Sequence, residues 1–118
     1  MLSDPQLHYL DNAATSRVDP AVAQAVSEAL TELWANPSSL YDPAVAAQDA
    51  IAAARARVAN TLHCRSDDIY FTAGGCEGND MAVTGAARPR KHWGNKIVVT
   101  GFEHPSVQRP IRALKDEG

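Results

Sequence analysis

Hydrophobic positions alternate between short compact runs and helical spacing along this chain, and that alternation is the first guide to its fold. Leu7 to Leu10 is a brief apolar run closed by Asp11 and Asn12, which predicts a strand ending in a turn. Asp19-Pro20 then predicts a helix start, since Asp caps free N–H groups and Pro loses no hydrogen bond at the first helical position. Val22, Val26, Ala29, Leu30 and Leu33 recur three and four residues apart, so this helix runs to about Trp34 and is broken by Asn36 to Ser39. A second Asp-Pro pair, Asp42-Pro43, opens an alanine-rich helix with Ala47, Ile51, Ala54, Val58 and Leu62 on one face, ending near His63 and Cys64.

After an acidic turn at Ser66 to Asp68, Ile69 to Thr72 predicts a buried strand that empties into Gly74 and Gly75. A short helix is expected from Gly78 through Met81, Ala82, Val83 and Ala86, stopped by the Arg88 to Trp93 stretch with Pro89 inside it. Ile97 to Val99 predicts a third strand, ended by Gly101. Pro105 to Glu117 predicts a last helix through Val107, Ile111 and Leu114, kinked or started late at Pro110, because proline removes a backbone hydrogen bond at a cost of about 3 kcal/mol in a helix interior. Strands alternating with helices predict an α/β fold with a mostly parallel sheet, and three strands leave an exposed edge. The pattern therefore reads as part of a larger domain.

Composition narrows the function more than the fold. A net charge of −3 over 118 residues excludes a strongly basic nucleic-acid binder, and 21% charged residues are too few to keep the chain disordered. Only 6% of the residues are aromatic, so the core is expected to be built from small aliphatic side chains, with marginal stability in isolation. Cys64 and Cys76 form no C-x-x-C pair, and His8, His63 and His92 have no partners at ligand spacing, so no metal site is expected. No run approaches the roughly 18 apolar residues of a membrane span, and no signal-peptide pattern opens the chain; a cytoplasmic protein is expected.

Three places invite chemistry. The turn Ala73-Gly74-Gly75-Cys76-Glu77-Gly78 lies between a predicted strand and a helix, where free N–H groups and the positive helix end would stabilise a phosphate. It matches neither a dinucleotide fingerprint nor a P-loop, and a tight turn needing glycine for its dihedrals explains it equally well. Glu103-His104-Pro105 follows the third predicted strand, at the carboxyl edge where ligands of open α/β sheets bind. There His104 either stacks on a flat ligand and transfers a proton or simply precedes a helix begun by Pro105. Asp11 to Thr15 follows the first strand and reads either as a close-approach segment or as an Asx turn.

In order along the chain, Tyr9-Leu10-Asp11-Asn12-Ala13-Ala14-Thr15, Asn36-Pro37-Ser38-Ser39, Phe71-Thr72-Ala73-Gly74-Gly75-Cys76-Glu77 and Glu103-His104-Pro105 resemble the N-terminal part of cysteine desulfurases. These are fold-type I pyridoxal-phosphate enzymes related to class V aminotransferases. The resemblance runs from Tyr9 to Gly118 and implies that residues 1–118 form a single partial domain: an N-terminal helical segment and the start of the cofactor-binding large domain. It implies pyridoxal 5'-phosphate as cofactor, with Gly75 and Cys76 as the phosphate-binding pair and His104 as the ring-stacking, proton-transferring residue. It implies L-cysteine as substrate, a persulfide passed to a sulfur-acceptor protein for iron-sulfur cluster assembly or tRNA thiolation, and a homodimer when complete, with residues 36–39 near the active-site mouth and subunit interface.

Departures from the family pattern are Cys76 where Thr is usual, Tyr41 where His often follows the Asn-Pro-Ser-Ser run, and Asp80 where Asn is usual. Lys91, Lys96 and Lys115 are the only lysines, and none stands in the family's Ser-x-His-Lys setting; nor does Cys76 lie on a loop that reaches a substrate thiol. The chain alone is therefore expected to be inactive. Another class V aminotransferase or lyase, or a non-catalytic subunit that binds phosphate, shares the same signatures, and cysteine is not distinguished from selenocysteine.

Overall fold

The computed structural model describes residues 8–118, so Leu7 of the first expected strand lies outside the described residues. Among the described residues four α-helices form: α1 at Pro20–Glu32, α2 at Asp42–Leu62, α3 at Gly75–Ala87 and α4 at Pro105–Asp116. The chain divides into two compact units, one reaching Asp68 and the other spanning Ile69–Gly118.

In the first unit the helix ends follow from local chemistry. The Asp19 carboxylate accepts from Ala21 N–H at 2.8 Å, and Pro20 occupies the first helical position. The start of α2 differs from expectation: Tyr41 is the cap residue, without a side-chain hydrogen bond, and Asp42 is already helical. There its carboxylate faces the positive end of the helix. His63 ends α2 in the left-handed region at φ 54°, while Cys64 N–H donates to the Ala59 carbonyl at 3.0 Å. A 3-10 turn at Ser66–Asp68 packs back on α2, with Arg65 N–H bonded to Asp68 at 3.1 Å.

The expected apolar face of α2 is only partly covered. Ala47 is buried together with Ala44 and Ala59, whereas Ile51, Ala54, Val58 and Leu62 are exposed. Val22, Val26 and Leu30 of α1 are exposed as well. Periodicity marks the side of a helix able to be buried; burial itself requires covering chain, and among the described helices of this unit the 3-10 turn is the one that packs on α2.

In the second unit α3 packs against α4 and against a 3-10 helix at Arg88–Trp93, the stretch expected to stop α3. Helix α3 starts at Gly75, earlier than the expected Gly78. The glycines carry no penalty in that first turn, whose N–H groups have no intrahelical acceptors in any case. Helix α4 runs through Pro110 with no late start, and Pro110 is buried one turn after the buried Ser106.

The expected strands are corrected: among the described residues no strand is present at 8–10, 69–72 or 97–99. A strand is defined by a paired neighbour, and high β propensity cannot supply the partner. Val98 is 98% exposed, and Ile97 and Val99 are exposed too. The α/β class is thus not seen as a sheet among the described residues.

Candidate functional site

Two of the expected binding residues open α3. Gly74 caps the helix in an extended conformation, and Gly75 and Cys76 form its first turn, both exposed. Helix geometry leaves the N–H groups of Gly75, Cys76 and Glu77 without intrahelical acceptors, whereas Gly78 N–H already bonds Gly74 at 3.1 Å. Glu77 folds back so that its carboxylate accepts from Ala73 N–H at 2.6 Å. This capping contact fixes the entry into the helix and takes one donor away from any incoming anion. A Cβ added at Gly74 or Gly75 would meet nothing within 4 Å, so open space lies beside the turn. Exposed donors, open space and a 13-residue helix dipole fit a phosphate group.

His104 is the N-cap of α4. Its Nδ1 accepts from Ser106 N–H at 3.2 Å and lies 2.7 Å from Ser106 Oγ. The helix-start reading of His104 is therefore realised, and the same bonds leave the exposed ring free at its other nitrogen. Ser106 Oγ in turn accepts from Asn79 Nδ2 at 2.8 Å. Asn79 lies one turn beyond Gly75 on α3, so one buried hydroxyl ties the phosphate-type turn's helix to the cap bearing His104. Neither Asn79 nor Ser106 carries a local sequence signal, because their contact spans 27 residues of chain.

At the opposite end of this helix pair, the Arg88 guanidinium meets Glu117 at 2.8 Å. The hydrogen bond to Glu117, with its charge, raises the Arg88 pKa, and the hydrogen bond from Arg88 holds the Glu117 carboxyl below its ordinary range. An apolar groove of about 670 Å³ lies along this unit, lined by Val83, Ile97, Val99, Val107, Ile111 and Leu114. Arg88, Lys91, Lys96 and Glu117 also line it.

The other motifs form local turns. Asn36 Oδ1 accepts from Ser38 N–H at 2.9 Å, an Asx turn. The Asp11 carbonyl closes the 11–15 turn by accepting from Ala14 and Thr15, while the Tyr9 hydroxyl donates to the Asp11 and Thr15 carbonyls at 2.8 and 3.0 Å. Cys64 and Cys76 are exposed free thiols, and no metal-binding group of His, Cys, Asp or Glu occurs among the described residues. No helix of the described residues is long and apolar enough to cross a membrane.

Residues 8–118 match the aminotransferase class-V family, to which the chain belongs. Within that family it is similar to cysteine desulfurases. It is 36% identical over 110 residues to a NifS/IcsS protein homolog of Lactobacillus delbrueckii subsp. bulgaricus, a match covering 93% of this chain and 29% of the relative. It is 36% identical to the cysteine desulfurase IscS of Clostridium botulinum, with 93% and 28% covered. It is 38% identical over 112 residues to a cysteine desulfurase of Trichormus azollae, with 93% and 27% covered. The chain thus spans less than a third of the length of these relatives.

Proposed function

We propose that this chain is the N-terminal cofactor-holding part of a pyridoxal-phosphate-dependent cysteine desulfurase. The observation that carries the reading is the hydrogen-bonded link Asn79–Ser106–His104, which joins the anion-ready turn of α3 to an exposed imidazole in one unit. In this reading Gly75 and Cys76 hold the phosphate of pyridoxal 5'-phosphate through backbone N–H groups, and His104 covers its ring and exchanges a proton with the substrate. The bound cofactor supplies an electron sink for bond changes at the substrate carbons. Cys76, a weak thiol donor where the family usually has Thr, adds little to the phosphate.

The remaining assignments extend from the same reading. L-cysteine is the substrate, and its sulfur passes through a protein persulfide to an acceptor protein for iron-sulfur cluster assembly or tRNA thiolation, in a cytoplasmic homodimer. Residues 1–118 form one partial domain of that enzyme, and Ile69 to Thr72 and Ile97 to Val99 become strands of a mostly parallel sheet once neighbouring strands pair with them. The groove supports this, because Ile97 and Val99 line it together with Val83 and Ile111. Lys91, Lys96 and Lys115 lack the family's lysine setting, so the 118 residues alone do not turn over cysteine.

The test is a chimera in which this chain replaces the corresponding 110 residues of the Clostridium botulinum relative. The expected result is release of alanine and sulfur from L-cysteine with the cofactor absorbance of a pyridoxal-phosphate enzyme. A chimera that folds and binds the cofactor but leaves cysteine untouched would contradict the desulfurase reading and favour another class V aminotransferase or lyase.

A further inference from the structure

The hydrogen bonds at the head of α4 have a direction. Ser106 N–H is a donor and nothing else, and it points at His104 Nδ1 at 3.2 Å. A proton on Nδ1 would set donor against donor, so Nδ1 carries the lone pair and the neutral ring carries its proton on Nε2. The Ser106 hydroxyl, 2.7 Å from the same nitrogen, must then donate to it. Its oxygen is left to accept, and Asn79 Nδ2 donates at 2.8 Å. Turning the Asn79 amide over would ask Ser106 to donate to Asn79 and to accept from Nδ1, which the backbone N–H forbids. Ser106 is only 9% exposed, so water competes weakly for these bonds.

We propose that Asn79 and Ser106 are positioning residues that fix the tautomer of His104, through a one-way chain of donors from the Asn79 amide to the Ser106 hydroxyl to His104 Nδ1. The ring is anchored at Nδ1 and presents Nε2–H outward. Neutral His104 therefore meets a ligand as a hydrogen-bond donor at Nε2. What that donor does to a bound cofactor or substrate rests on the reading of His104 given above; the tautomer itself does not.

The test is long-range proton–nitrogen NMR of the histidine rings in the 118-residue chain, at about pH 8.5, roughly two units above the ordinary imidazole value. The expected spectrum shows His104 with a protonated Nε2 and a bare Nδ1. Ser106→Ala and Asn79→Asp each remove the hydroxyl's donation to Nδ1, and each should lower the ratio of Nε2–H to Nδ1–H tautomer roughly fivefold, the factor set by one neutral hydrogen bond. Ser106→Thr keeps the hydroxyl and should restore the native ratio. Backbone amide spectra identify any variant that has lost α4, and Asn79→Asp, on the less buried partner, carries the test if Ser106→Ala has done so. An equal mixture or a protonated Nδ1 in the native chain would overturn the proposal, as would unchanged ratios in folded variants. Adding inorganic phosphate and following the Gly75 and Cys76 amides tests the phosphate reading separately, so the failure of one is not mistaken for failure of the other.

Discussion

The two units of this chain are held together in different ways. In the first, through Asp68, the bonds that shape the helices are local: Asp19 caps α1 two residues on, Asn36 turns onto Ser38, and Arg65 clips the 3-10 turn that follows α2. In the second, from Ile69, the decisive bonds join residues far apart in sequence, Asn79 to Ser106 across 27 residues and Arg88 to Glu117 across 29. Local bonds set where helices begin and end. Bonds of long reach tie the helix opened by the Gly75 turn to the cap that bears His104.

The comparison is broken most severely at His104. In the chimera His104→Gln should slow cysteine turnover about a hundredfold while retaining the cofactor, because a flat amide still covers the ring yet exchanges no proton near neutral pH. Asp19→Ala in the same protein should leave the rate within about twofold, since the Asp19 bond serves α1 alone. Steady-state rates with the absorbance spectrum check both.

Next in size is Ser106→Ala, which strips a partner from Asn79 and from His104 and should destabilise the second unit by roughly 1–3 kcal/mol in denaturant unfolding. Asp19→Ala should cost about 1 kcal/mol, with hydrogen exchange accelerated in α1 and unchanged in α4. Equal effects on both units would contradict the division drawn here.

Cys76→Thr, restoring the family's usual hydroxyl, should tighten pyridoxal 5'-phosphate by roughly 0.5–1.5 kcal/mol, measured as the cofactor dissociation constant. Unchanged affinity would assign the holding to the backbone N–H groups alone. The smallest effect concerns Glu117, whose carboxyl is held below its ordinary range by the hydrogen bond from Arg88. Its contribution is present above the ordinary carboxylate pKa and is lost as the pH falls through the lowered folded value. Unfolding followed between neutral and acid pH should therefore show a shallower acid loss for Glu117→Gln than for the native chain.

The helices were legible in the sequence because their signals are local: Asp19-Pro20, the alanine-rich face from Ala47, and Pro105 after His104 each act within a turn of their own position. The start of α3 was misplaced because glycine reads as non-helical, although the first turn of a helix tolerates it. The expected strands at 69–72 and 97–99 failed for another reason, since a strand exists only with a neighbour and the residues described here pair no ladder with them. Gly75, Cys76 and His104 stand out in the sequence as candidate site residues through the order of four motifs, while Asn79 and Ser106 do not, because nothing local distinguishes a helical Asn or a Ser beside Pro105 from any other. The role proposed for them comes from packing.

In the proposed function the turn at Gly75 and the ring of His104 serve one ligand. Titrating the isotope-labelled chain with pyridoxal 5'-phosphate measures this directly, by following the amides of Gly75, Cys76 and Glu77 together with the His104 ring. All four should move along one binding curve, with a single dissociation constant. Amide shifts at the turn with a motionless His104 ring, or different constants for the two, would contradict it.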